Sequence, residues 1–317
     1  MRILVTGSHG MIGTALIGHL RESGDQVVRL VRNPTRSEAD GIPWDPASGV
    51  LDPFRVEEFD AVVHLAGHNL TAGRWTNAGK AAIRDSRVRS TQLLCEALRR
   101  LHHPPKVLAS ASAIGIYGDR GSEVLTEDAP PGTGFLAEVC RQWEEATRPA
   151  AENGIRVVHL RFAIVLTAQG GALAKMLLPF RLGLGGVVGT GQQYWSWIAL
   201  DDALEAIHFA LVTDGVSGAA NLAAPEPVTN REFTRTLGAT LGRPTCLPLP
   251  AFVARAIFGK MADETLLASS RVLPAKLLAN GFRFRHQDLA GAMRSLLQNQ
   301  AGPPTRFVPE HDRKEPP

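Results

Sequence analysis

Gly7, Gly10 and Gly13 recur at intervals of three in the stretch GSHGMIG, with an apolar run before them and a helical pattern after. The first glycine of such a set allows a tight turn, and the second lets the backbone approach a pyrophosphate. The third lets a helix pack closely on a strand. The first N–H groups of the helix, from Met11 and Ile12 onward, are free to meet an anion, and the helix dipole adds to the attraction. The chemistry these residues predict is the binding of a dinucleotide. A site for NAD has an Asp or Glu at the end of the second strand, where it bonds the ribose hydroxyls. This chain has Arg32 there, with Arg36 close by. A guanidinium suits a 2′-phosphate and leaves the NAD ribose without its acceptor, so the expected cofactor is NADP(H). The alternative is a pair of solvated arginines at a strand end.

Such a loop needs a strand before it, a helix after it and a sheet around both. RILVTG, QVVRLVR, DAVVHLAG, KVLASASAIGIYG and IRVVHLRFAIVL read as strands. MIGTALIGHLRESG, KAAIRDSRVRSTQLLCEALRRL and a segment from about 135 to 153 read as helices between them. Strands that alternate with helices and are apolar almost throughout predict a parallel sheet covered on both faces. The expected fold is α/β, a doubly wound parallel sheet (Rossmann), over residues 1–165, with the core recruiting later segments near 195–225. The texture changes after Leu166, where glycine-rich and mixed apolar segments predict a smaller C-terminal α/β substrate domain over 166–300. In it a helix is expected with Thr229 or Asn230 as its N-cap, and the segment near Gly281 is expected to pack onto this smaller domain. Residues 301–317, Pro-rich and charged, are expected to be a disordered tail.

Composition sets outer limits. The chain has 317 residues, 44% hydrophobic and 21% charged, which is enough for a sizeable core. A net charge of +3 is too small to argue for a nucleic-acid partner. Cys95, Cys140 and Cys246 lie far apart, forming neither a metal spacing nor a disulfide framework, which fits a reducing, cytoplasmic setting. A strand begins at once, with no signal peptide ahead of it, and no run of 18 apolar residues is long enough to span a membrane. Ten scattered histidines give no metal set.

The motifs VTGSHGMIG, WDP, VVHLAGHNL, RWT, SRVRST, SASAIGIYG, FLAEVCRQWE, LPFRLGLGG, SWIALDD, VTNREF and VLPAKLLANGFRF occur in this order. Together they make the chain resemble the extended short-chain dehydrogenase/reductase superfamily. Within it they resemble the atypical "epimerase family protein" branch, which is like NAD-dependent epimerases and dehydratases and has a C-terminal domain of its own. The resemblance spans nearly everything but the tail. It implies that Leu65, Ala66 and Gly67 flank the adenine and ribose, and that Val165 either lies near the nicotinamide or is buried strand. Arg87 stands where related enzymes have a cofactor-contacting Asn. It either reaches a phosphate or is a helix-surface charge.

The superfamily's usual machinery is a Ser or Thr with Tyr-x-x-x-Lys, in which spacing by four puts both side chains on one helix face and the ammonium tunes the phenol. The two tyrosines here, Tyr117 and Tyr194, are followed four residues later by Gly121 and Ile198. The positions matching the pair are Phe135 and Val139, expected at the cleft wall beside the nicotinamide. The remaining candidates for catalysis are Ser112, which most nearly matches the family serine, and Tyr117, in the loop where a substrate would lie. Glu138 faces either cleft or solvent, Cys140 reads as a buried small residue, and His64 as a packed, hydrogen-bonded side chain. On the substrate side Trp195 and Trp197 could line an apolar wall, Lys175 and Arg181 could meet an anion, and Asp201 and Asp202 more often cap the following helix.

Two functions stay open. One is an NADP(H)-dependent oxidoreductase or epimerase with a non-standard acid, acting on a small-molecule substrate such as a nucleotide-sugar or keto compound. The other is a non-catalytic NADP(H)-binding module that senses redox state or docks a partner.

Overall fold

The computed structural model describes residues 1–32, 41–71, 73 and 75–298. Strand β1 (Arg2–Thr6) leads through the glycine loop into α1 (Met11–Glu22), followed by β2 (Gln26–Val31), β3 (Ile42–Asp45), β4 (Val50–Leu51) and β5 (Ala61–His64). Next come α2 (Asn77–Arg99), β6 (Val107–Ala113), the short β7 (Val124–Leu125), α3 (Phe135–Glu145), α4 (Arg148–Glu152) and β8 (Arg156–Phe162). The second half holds β9 (Ile164–Thr167), α5 (Gly171–Arg181), β10 (Tyr194–Trp195), β11 (Trp197–Ala199), α6 (Leu200–Val212) and β12 (Gly218–Leu222). It ends with β13 (Val228–Thr229), α7 (Asn230–Leu241), α8 (Ala251–Phe258), β14 (Arg271–Val272), α9 (Ala275–Ala279) and α10 (Leu289–Gln298).

Eight strands bond in the order β12-β8-β6-β5-β1-β2-β3-β4. All neighbours are parallel except β3 and β4. The order reverses at β1, with β2 on one side and β5 on the other, so the glycine loop opens at the switch point of a doubly wound sheet. Side chains alternate between the two faces. Ile3, Val5, Ala109, Val158 and Leu160 pack under α1 and α6, while Leu4, Val62, Leu108 and Val157 pack under α2 and its neighbours. The later segments α6 and β12 are part of this layer.

A separate apolar core, holding Leu173, Trp197, Phe233 and Met293, builds the smaller C-terminal domain. Thr229 is the N-cap of α7, in a reciprocal capping box with Glu232. Two expectations are corrected. The residues just after Gly281 do not pack onto the smaller domain, which the chain rejoins only at α10 with Leu289, Ala292 and Met293. Phe282 and Phe284 join the core under the large sheet, with Phe282 stacked edge-on against Phe209 of α6. Asp202 fixes this placement, because its buried carboxylate accepts the Arg285 and His286 amides at 2.7 and 2.9 Å. It therefore caps a distant segment and not its own helix. The helix expected over 135–153 is broken into α3 and α4, with Pro149 in the first turn of the second piece.

His64 ends β5 with no exposure at all. Its Nδ1 lies 2.7 Å from Thr6 Oγ1 and its Nε2 2.9 Å from Thr91 Oγ1, so the ring is packed and bonded on both sides. Burial pushes its pKa down to about 3. Below pH 6.5 the unfolded chain therefore takes up a proton that the folded chain refuses, and stability falls as pH is lowered from 6.5 toward 3. The contribution of this residue is about 1.4 kcal/mol per pH unit within that window. Urea unfolding across this range should show the decline, and His64→Gln should flatten it; an equal slope in both proteins would contradict the assignment.

Candidate functional site

The glycine loop has the shape a phosphate cradle needs. Gly7 has φ +67°, and a Cβ there would lie 2.5 Å from the Leu65 carbonyl oxygen. A Cβ on Gly13 would collide with the Gly7 carbonyl, so only glycine lets α1 sit this close to β1. Gly10 is exposed, and its amide donates to Gly7 O at 3.0 Å. Gly10 is also the N-cap of α1, no side chain caps that end, and no acid lies in the first turn. The helix terminus is thus left to an outside anion. Met11 packs against the turn at Gly170 and Gly171, and Ile12 against the core.

Around this loop the sheet edge supplies walls. Arg32 is exposed at the end of β2, within electrostatic reach of Asp45. Arg36 lies outside the described residues. The Leu65 and Ala66 amides donate to Thr6 Oγ1 at 3.1 and 3.3 Å, the hydroxyl that also meets His64. Arg87 stands against Gly67: a Cβ on that glycine would lie 3.4 Å from the guanidinium carbon. Its Nη1 donates to Ile83 O at 3.0 Å and its charge lies 5.1 Å from the Trp143 ring centre. Burial lowers its pKa, and no carboxylate among the described residues is ion-paired with it. Val165 is 8% exposed, paired with Ile198 in the β9–β11 ladder, and is core strand.

Beside these walls lies a buried polar row that the sequence reading did not assemble. Register places Ser112 of β6, Arg161 of β8 and Asn221 of β12 side by side on three adjacent strands. Glu144 of α3 descends onto them. It accepts from Ser112 Oγ at 2.6 Å and from Arg161 Nε and Nη2 at 2.8 and 2.9 Å. Burial alone would raise the Glu144 pKa, but the Arg161 bonds, His159 and the Ser112 hydroxyl bring it below the usual carboxylate value. Arg161 Nη1 also donates to Tyr117 Oη at 2.9 Å, and that hydroxyl donates to Asn221 Oδ1 at 2.7 Å.

Tyr117 therefore does not lie in an open loop. It is fully buried in a short 3₁₀ turn, with its pKa raised chiefly by burial and its hydroxyl bonded on both sides. Ser112 is likewise internal, at 2% exposure. Glu144, Arg161 and Asn221 left a signal that could have found them. They are polar residues within or against strands whose neighbours on both faces are apolar, and such groups must bond to one another.

Helix α3 presents no acid at the matched positions. Phe135 is half-buried, its ring edge-on to Trp75 at 5.2 Å, with Lys80 Nζ 4.8 Å from its centre. Val139 is buried at 2%. Glu138 faces solvent, tied to Arg141 and Gln142, whose bonds hold its carboxyl at about 2. Cys140 is buried, and burial pushes its thiol up to about 12. The start of α3 is held from the other domain, where Glu264 accepts the Leu136 amide at 2.7 Å.

The substrate-side residues divide. Trp195 and Trp197 are core, their indole N–H groups bonded to the Leu266 and Glu226 carbonyls, and they line no open wall. Lys175 of α5 donates to Thr71 Oγ1 across the mouth of the sheet edge at 2.5 Å, and Arg181 is exposed at the end of that helix. Asp201 is exposed in the first turn of α6. Among the described residues no cluster suits a metal ion, and no helix is long and apolar enough to cross a membrane.

Comparison with known proteins agrees with this architecture. Residues 3–223 match the model of the NAD dependent epimerase/dehydratase family, and residues 249–296 match a domain of unknown function. An epimerase family protein of Mycobacterium bovis is 43% identical over 92% of this chain and 96% of its own length. The human epimerase family protein SDR39U1, whose crystal structure was determined with NADPH, has 36% identity and a TM-score of 0.87, covering 94% of this chain and all of that one. A nucleoside-diphosphate sugar epimerase from Corynebacterium glutamicum has 34% identity and a TM-score of 0.77, covering 97% of this chain and 63% of that one. A glycine cradle at the switch point of a doubly wound sheet, a matched family model and full-length relatives lead to one conclusion: this chain belongs to the NAD-dependent epimerase/dehydratase family, in its branch of epimerase family proteins.

Proposed function

We propose that this chain holds NADP(H) along the carboxyl edge of its sheet and uses it as an oxidoreductase on a small keto compound or nucleotide-sugar. The observation that carries the reading is the uncapped, acid-free start of α1 behind Gly7, Gly10 and Gly13, next to a β2 strand that ends on an exposed arginine. Met11 and Ile12 offer amides to the diphosphate, and Arg32, with Arg36, meets the 2′-phosphate. Leu65, Ala66 and Gly67 form the wall for adenine and ribose, and Arg87 adds a cation behind Gly67. Val165 backs the nicotinamide side as part of the core. NADPH in the crystal of human SDR39U1 supports the choice of cofactor.

The bound nicotinamide would supply or accept the hydride. The proton is this chain's own problem, because Phe135 cannot give one and Val139 cannot tune one. Ser112 is the better of the two hydroxyls. In the oxidative direction the substrate hydroxyl proton would pass to Ser112 Oγ as the Ser112 proton passes to Glu144; in reduction the relay would run backwards, from a Glu144 that has taken up a proton from solvent. Tyr117 acts as a positioning residue that fixes Arg161 and Asn221. A second reading, an NADP(H)-holding module without turnover, is favoured by the burial of both hydroxyls.

Two outcomes are expected. NADPH should bind at least about tenfold more tightly than NADH, since a charge-assisted bond to Arg32 contributes about 1.5–3 kcal/mol and tenfold needs about 1.4. Calorimetry of both cofactors, with Arg32→Ala losing most of the difference, checks this; equal affinities in the wild type would overturn it. A panel of carbonyl compounds and keto-sugars, followed by loss of NADPH absorbance, should give turnover with at least one. Ser112→Ala should then lower kcat by about 10²-fold or more. Silence across the panel, with tight NADPH binding intact, would leave the module reading standing.

A further inference from the structure

Glu144 is buried, so a proton that travels between it and water needs a neighbour to carry it. Its Oε1 accepts from Ser112 Oγ at 2.6 Å and from Arg161 Nε at 2.8 Å, which uses both lone pairs of that oxygen. Its Oε2 accepts only from Arg161 Nη2, at 2.9 Å, and keeps one lone pair. Nδ1 of His159 stands 3.8 Å from Oε2. Strand register brings the ring there. Ser112 pairs with Arg161 and Ser110 with His159, so His159 lies on the same face of β8 as Arg161, one step below it under α3.

The other ring nitrogen decides which one is bare. Thr147 Oγ1 donates its single proton to Glu144 O at 2.7 Å. It also lies 2.8 Å from His159 Nε2, which it can serve only as an acceptor. Nε2 therefore carries the proton of the neutral ring, and Nδ1 turns a lone pair toward the carboxylate. At 3.8 Å these two acceptors make no hydrogen bond, whereas a proton added to Nδ1 turns them into an ion pair. His64 offers no such place, because both of its nitrogens meet hydroxyls. Burial holds the His159 pKa below its ordinary value; Glu144 of α3 works against burial, and Arg161 of β8 and Lys276 of α9 add to it. The His159 side chain is 18% exposed, against 11% for Glu144 and 8% for Arg161, so it is the member of this group most open to water.

We propose that His159 is the outer end of the Ser112–Glu144 relay, taking up a proton from water at Nδ1 and handing it to Glu144 Oε2. The inference rests on the role proposed for Ser112. In reduction the substrate carbonyl oxygen takes the Ser112 proton as hydride reaches its carbon, and Ser112 Oγ takes a proton from Glu144. Glu144 regains its proton from His159 Nδ1, and water restores that of the ring. A half-turn about the last Glu144 torsion, which is two-fold, exchanges its oxygens between His159 and Ser112 and restores the same pair of bonds to the Arg161 fork. Arg161 itself keeps its proton throughout. Oxidation runs the same steps outward, so water is the one further reactant.

Nitrogen NMR of the full-length, cofactor-free protein, with isotope-labelled histidine, shows where the proton sits. His159→Gln assigns the His159 signals by their loss. The neutral ring should carry its proton on Nε2, and lowering the pH should add the second proton at Nδ1. A neutral ring protonated on Nδ1, or one that takes up no proton before the protein unfolds, would overturn the inference. Kinetics with any carbonyl compound that NADPH reduces on this protein gives the second readout. In the wild type kcat for reduction should fall as pH rises through the His159 titration. His159→Gln should remove that dependence and lower kcat about tenfold, with the KM for NADPH unchanged. If Ser112→Ala abolishes turnover while His159→Gln keeps the wild-type pH profile, this inference alone falls. Full turnover in Ser112→Ala would instead overturn the role of Ser112 and the relay with it.

Discussion

A buried ion pair, Glu144 with Arg161, decides how the carboxyl edge of this sheet is built. It joins α3 to β8, and through Ser112, Tyr117 and Asn221 it draws in β6, the turn that follows it, and β12. Asn221 then reaches the C-terminal segment, with its side-chain amide on Leu273 O and its backbone amide on Glu127, which also accepts from the Lys276 amide. Removing one partner of such a pair typically costs about 3–5 kcal/mol, because the other charge is left buried alone. The two domains are thus linked through the same charges that occupy the place beside the expected nicotinamide.

That arrangement changes what the fold can do. In the superfamily's usual plan a helix at the position of α3 brings a phenol and an ammonium to the substrate. By the resemblance, the same helix carries Phe135 and Val139 at those positions, and its internal carboxylate, Glu144, holds the sheet. Its outward acids, Glu138 and Glu145, are paired with Arg141 and Arg148 in solvent. The cations nearest the sheet edge on α2 are Lys80, over the Phe135 ring, and Arg87, over Trp143. The glycine loop leaves the start of α1 without a side-chain cap, whereas the Ser112 hydroxyl is buried and bonded to Glu144.

The parts of this structure legible from the sequence are those governed by local rules. GSHGMIG fixed a turn, a helix start and a close approach, since each needs a residue without a Cβ. The alternation of apolar runs with helical patterns gave the sheet, and Thr229 followed by Glu232 gave a helix start. The polar row was not legible in the same way. Ser112, Arg161 and Asn221 are 49 and 60 residues apart in the chain and meet only through parallel register. Tyr117 was misplaced because a Tyr-Gly after a strand reads as an open loop, whereas burial of its ring under β14 and α3 decides its position. Phe282 and Phe284 were assigned to the wrong core because nothing local announces that Asp202 will hold their neighbours.

A crystal structure grown with NADPH tests most directly where NADP(H) lies. It should show the diphosphate against the amides of Met11 and Ile12 and the 2′-phosphate within hydrogen-bond reach of Arg32. The nicotinamide should face the wall of Phe135 with Ser112 behind it. Cofactor bound elsewhere, a bare glycine loop at saturating NADPH, or a 2′-phosphate turned away from Arg32 would contradict it.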